Sequence, residues 1–161
     1  AMARFITKFR DTSDAAGTLG YGGNDWIILR YADVYLMLAE VNARMGNEAE
    51  AVKWLDEVRK RAGLKSYEEV RDDASYSAVC PNLMRAILHE RRCELAFENQ
   101  RWYDLLRFFN AKDLVQYMHG KKSEDYGISN LNNFGEKDIY FPIPYDEWKL
   151  NPDKMYQNPG Y

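Results

Sequence analysis

From Leu29 onward the apolar positions take up helical spacing, with Tyr35, Leu38 and Ala39 along one helix and small residues at Ala32 and Ala43. Met45-Gly46-Asn47 stops that helix, because glycine adopts the left-handed conformation that closes a helical end. A second helix is predicted over residues 48–62, with Ala51, Leu55 and Val58 on one face. Arg59, Lys60 and Arg61 suit the negative end of its dipole, and Gly63 ends it. Ahead of these helices, Gly17, Gly20, Gly22 and Gly23 stand among Ser, Thr and Asp, which predicts a short extended piece at Arg4–Phe9 and a loop closed by Asn24 or Asp25. After Gly63, KSYEEVRDDASYSAVCP reads as a polar connection with a single helical turn. A third helix is predicted from Asn82, its N-cap, to Glu98; Asn99 suits a left-handed residue, and the helix restarts at Arg101 and runs to Phe109. Residues 111–138 read as loop, with NLNNFGEKD a turn cluster. Pro142 and Pro144 force extended backbone in IYFPIPYDEW, and Asp146-Glu147-Trp148 forms a last turn. The expectation is a mainly α chain: one helix pair over residues 29–62, further helices with long irregular loops, and an extended carboxy-terminal tail, all within a single domain of residues 1–161.

The third helix does not keep its charges on one side. On a wheel of roughly 100° per residue, Met84, Ile87, Leu88, Leu95, Trp102, Leu105, Leu106 and Phe109 share one arc, and Arg91 and Glu98 fall inside it. Glu94 and Arg101 sit at its edge. Every basic residue between Met84 and Phe109 is arginine, the residue that keeps its charge when desolvated and grips carboxylates with two prongs. The pattern therefore predicts a structural ionic network, with Arg91–Glu94, Glu98–Arg101 and Asp104–Arg107 at i,i+3 spacing. Glu90, Glu94 and Glu98 are also the carboxylates a glycosidase would draw on. Neighbours on one helix, however, lie side by side and do not face each other across a sugar.

Composition narrows the classes. At 161 residues, 46% hydrophobic and 29% charged, the chain is globular and not disordered. With 22 basic and 25 acidic residues well mixed, it offers no electrostatic footprint for nucleic acid or for an anionic membrane surface. The best apolar run, VYLMLAEVNARM, is interrupted by Glu40 and Arg44 well short of the roughly 20 residues that span a bilayer. Cys80 and Cys93 form neither a disulfide framework nor a zinc pattern. His89 and Cys93 share a helix face, but the metalloprotease pattern needs histidine where Cys93 stands, so no metal and no cofactor is expected. No nucleophile elbow, phosphate loop or dinucleotide fingerprint occurs, and no catalytic residue is assigned. The chain is 14% aromatic, and aromatic rings on a loop can stack on sugars; Tyr21 and Trp26 are the candidate ligand contacts. Ala1-Met2 reads as a tag remnant ahead of a start methionine, with no signal peptide or lipid-attachment cysteine after it, and Asn158-Pro159-Gly160-Tyr161 reads as a finish.

The helix pair resembles one tetratricopeptide unit, with Tyr35, Leu38 and Ala39 on its first helix, Gly46 in the turn, and Ala51, Leu55 and Val58 on its second. One such pair cannot bury its apolar face alone, so either the rest of the sequence covers it or the chain is a piece of something longer. LRYADVYLMLAEVNARMGN, then VRKRAGL, then ILHERRCELAFENQRWYDLLRF, then FPIPYDEWKLNPDKMYQNPGY closely resembles, in that order, the carboxy-terminal part of SusD/RagB-type nutrient-binding lipoproteins. Asn99 departs from the pattern, where that family usually has glycine. The resemblance implies a cell-surface protein of Bacteroidetes-type bacteria that binds an oligosaccharide or peptide nutrient without cleaving it. It also implies a SusC-like TonB-dependent transporter as partner, and an outer-membrane location through a lipid anchor on an amino-terminal portion not present here. The alternatives are a free-standing helical-repeat interaction module and a glycosidase.

Overall fold

The computed structural model describes residues 6–11, 23–25, 27–121 and 131–161. The chain is mainly α, and no strand occurs among the described residues. It forms two compact units, residues 1–101 and 102–161.

In the first unit, α1 (Tyr31–Arg44) and α2 (Glu48–Arg61) pack on each other across a three-residue turn. Both ends close in the same way. Gly46 at φ 81° lets Asn47 N–H reach Asn42 O at 2.8 Å, and Gly63 at φ 73° lets Leu64 N–H reach Arg59 O at 2.9 Å. Leu36 and Ala39 of α1 and Ala51, Leu55 and Val58 of α2 are buried there, together with Ala86, Ile87 and Leu88 of α5 (Leu83–Glu94). The opposite side of α1 is different: Tyr31, Leu38, Val41 and, just past its end, Met45, spaced seven, three and four residues apart, are exposed.

The connection after Gly63 holds two short helices where one turn was expected. A capping box at Ser66 and Glu69 starts α3 (Tyr67–Val70), and the Asp73 carboxylate, accepting from Ser75 N–H at 2.8 Å and Tyr76 N–H at 3.2 Å, starts α4 (Ala74–Val79). Asn82 caps α5 as predicted, accepting from Arg85 N–H at 2.9 Å. This helix stops at Glu94, earlier than expected, because both Phe97 (φ 65°) and Asn99 (φ 60°) are left-handed. The extended reading of Arg4–Phe9 also needs correction: Lys8 and Phe9 lie in a turn closed by Arg10 N–H on Thr7 O at 3.1 Å, while Arg4 is outside the described residues.

The second unit is built on α6 (Arg101–Phe108) and α7 (Ala111–His119). Residues 111–138 had read as loop, yet Asn110 caps α7 by accepting from Asp113 N–H at 2.9 Å. Leu114 is buried with Leu105 and Ile139, and Trp102, Leu106, Phe109, Tyr117, Met118 and Phe134 surround them. Two 3-10 turns, Leu131–Asn133 and Glu136–Ile139, and the short α8 (Tyr145–Trp148) follow. The tail runs back beside the proline segment: Gln157 bonds both the N–H and the C=O of Ile143, at 2.7 and 2.9 Å, and Asn158 Nδ2 donates to Phe141 O at 2.6 Å.

Candidate functional site

Glu90 and Arg91 of α5, and Glu98 just beyond it, point inward because partners on three other segments meet them there, whereas Arg92 is exposed. Arg91, 2% exposed, donates to Asp33 Oδ1 of α1 at 2.8 Å. The residue before it, Glu90, accepts from Arg59 Nη1 of α2 at 2.9 Å, with both residues buried. Arg59 also donates through Nε to Lys65 O at 2.9 Å and lies over the Tyr76 ring.

The third connection lies just past the end of α5. Glu98, 8% exposed, receives Arg30 in a two-pronged bond, Nε to Oε2 and Nη2 to Oε1, each at 2.8 Å. Arg30 Nη2 also donates to Glu94 O at 2.6 Å, and its Nη1 pairs with the Glu94 carboxylate. The Lys8 ammonium pairs with Glu98 and donates to Glu94 O at 2.8 Å and Ala96 O at 3.0 Å. Arg61 of α2 pairs with the other oxygen of Glu94. Cations thus gather where the helix presents its unpaired carbonyls and negative dipole end.

These neighbours set the acidities. Burial raises Glu98, but hydrogen bonds and charge from Arg30 and Lys8 outweigh it, and the carboxyl is held below the usual range. Glu90 is pushed up, because its burial outweighs Arg59. Hydrogen bonding to Glu98, against the opposing effect of burial, raises the Arg30 guanidinium.

The expectation that Arg91 and Glu98 are core-facing charges in a structural network is met, but two predicted partners differ. Arg91 binds Asp33 of α1, while Glu94 on the same helix is taken by Arg30 and Arg61; Glu98 binds Arg30 and Lys8, because the chain leaves the helix after Glu94 and the Glu98–Arg101 register lapses. Arg101 donates to Leu88 O at 3.1 Å, and only Asp104–Arg107, at 2.9 Å, keeps its predicted spacing. Asp33, Arg59, Arg30 and Lys8 were not anticipated. Asp33 had a legible signal, since it lies three residues before buried Leu36 and so shares its face.

Elsewhere, His89 Nε2 and Cys93 Sγ lie 3.7 Å apart on α5, with Cys93 exposed, and no group of three or more metal-ligating side chains occurs among the described residues. Cys80, by contrast, is buried, and burial raises its thiol. A groove of about 510 Å³ opens between the Gly46 turn, Tyr67 and the stretch from Cys80 to Met84. Tyr67 is buried beneath the Arg71 guanidinium and presents no open ring face for stacking. Tyr21 and Trp26 lie outside the described residues.

The model of the SusD family matches residues 2–161. The chain is 34% identical over 159 residues to SusD-like protein P2 of Formosa agariphila, covering 97% of this chain and 30% of that protein. Against SusD-like protein P25 of the same organism it is 33% identical over 127 residues, 78% of this chain and 22% of the relative. It therefore spans less than a third of the length of these curated relatives. No solved structure matches.

Proposed function

This chain belongs to the SusD family, and from that premise we propose that it is part of a cell-surface protein that binds a glycan nutrient without altering it. The full-length protein sits at the outer membrane on a lipid anchor outside these 161 residues and hands its ligand to a SusC-like TonB-dependent transporter. The family match over nearly the whole chain carries the reading. The ionic geometry supports its non-catalytic side, since Glu90, Glu94 and Glu98, the carboxylates a glycosidase would use, are each held by arginine. No helix among the described residues is long and apolar enough to cross a membrane. Tyr21 and Trp26 are the proposed ring contacts, because a soluble sugar offers apolar faces to aromatic side chains and little charge.

Calorimetric titration of the full-length protein and of this chain against a panel of oligosaccharides tests the proposal, with chromatography of each sugar after prolonged incubation. The expected result is binding by the full-length protein, weak or no binding by the chain alone, and intact sugar. Cleaved product would move the reading to a glycosidase. A second reading, a helical-repeat module that holds a protein partner, is favoured by the exposed apolar stripe on α1. Capture of a peptide along that stripe, with no response to any sugar, would establish it.

A further inference from the structure

Phe97 is presented to solvent against its own backbone preference. It stands third in a turn closed by Glu98 N–H on Leu95 O at 3.1 Å, where a positive φ favours glycine, and its φ is 65°. It is nevertheless 62% exposed. Its neighbours hold the arrangement in place: Lys8 Nζ donates to Ala96 O at 3.0 Å on one side of Phe97 and pairs with Glu98 on the other, while Arg30 grips Glu98 with two prongs. Strain of this kind persists only where the surroundings over-determine it, and it gathers at binding and switch positions.

The surface around Phe97, just beyond the C-terminal end of α5, is cationic, since Lys8, Arg30 and Arg61 outnumber Glu94 and Glu98 there. The N-terminal end of the same helix has the complementary character. There the groove of about 510 Å³ has Ala43, Leu83 and Met84 in its walls, and Glu48 and Asp72 outnumber Arg71 along it. Arg71 is itself engaged, 3.1 Å from Glu68 and 3.8 Å from Glu48. Ring and groove are separated by the twelve residues of α5, about 18 Å of helix, and share no residue, so a molecule does not fill its own groove.

We propose that these two ends are the halves of one contact: Phe97 of one copy of this chain enters the groove of a second copy, and the cations around the ring face Glu48 and Asp72. Because the halves are different surfaces, the contact is heterologous and repeats head to tail, without the closure of a symmetric dimer. A single aromatic ring buries about 150 to 250 Å², far less than a standard interface, so the association is weak and is seen at high protein concentration.

Sedimentation of the full chain over a wide concentration range tests this, with Leu38→Lys and Val41→Lys present throughout so that the exposed stripe of α1 does not contribute. The parent should form a ladder of species that extends beyond the dimer. Phe97→Gly removes the ring and relieves the backbone, so it should fold at least as well and yet associate roughly tenfold more weakly. Ala43→Lys places a cation in the groove and should weaken association to the same extent; if its helicity falls, Glu48→Lys, on the exposed rim, takes its place. An equimolar mixture of the ring variant and the groove variant then decides. One supplies an intact groove and the other an intact ring, so the mixture should form a one-to-one dimer and nothing larger. A parent that stays monomeric, a Phe97→Gly protein that associates as the parent does, or a mixture that stays monomeric overturns the proposal. Sugar does not enter the readout, so this proposal and the glycan-binding one stand or fall separately.

Discussion

Arg91 and Asp33 make the sharpest case at the scale of single residues. Arg91→Met leaves the Asp33 carboxylate buried and unpaired, and it should cost about 3 to 5 kcal/mol of unfolding free energy. Urea denaturation of wild type and variant measures it. Glu98 gives the pH counterpart. Its folded pKa lies below its ordinary value, so its contribution is fully present above the ordinary carboxylate range and is lost as pH falls through the folded value. Acid unfolding of Glu98→Gln should lack that component, so the stability gap between wild type and variant should narrow as pH falls. The sequence announced the inward charges of α5 but not their partners. A wheel places a side chain on a face of its own helix, and which distant residue meets it is a matter of tertiary packing.

Among the elements, the breaks mattered more than the helices. Gly46 and Gly63 could be read directly, because the left-handed residue that ends a helix is most often glycine. Phe97 could not be read, since nothing in its chemistry favours φ 65°. It is 62% exposed, so trimming it sacrifices little burial, and Phe97→Gly should raise stability by about 0.5 to 1 kcal/mol through relief of the left-handed penalty. Thermal unfolding decides the sign; a loss would show that the Phe97 ring contributes more than its backbone costs. The helix α7 was missed for another reason. Asn110 and Leu114 signal a start and a buried face, but the run is short, and its burial comes from Leu105 on the preceding helix and from Ile139, 25 residues past Leu114.

For the molecule as a whole, α1 has two apolar sides and the described chain covers one of them. The mainly α class was legible because helical spacing repeats from Leu29 onward; the completeness of the fold was not, because an exposed stripe and a buried one follow the same spacing rule. This chain should bind a hydrophobic dye or self-associate, and Val41→Lys with Leu38→Lys should reduce either effect without loss of helicity. Sedimentation and dye fluorescence of the two proteins measure it. The two thiols offer a different kind of readout. Cys93 lies open on α5, while Cys80 is 2% exposed beside the packed helices. A thiol reagent in native buffer should therefore be consumed in two stages, one equivalent at once and the second only as fast as the first unit opens. Wild-type protein thus carries its own clock for breathing motions, one thiol reporting access and the other reporting rupture, with no label introduced.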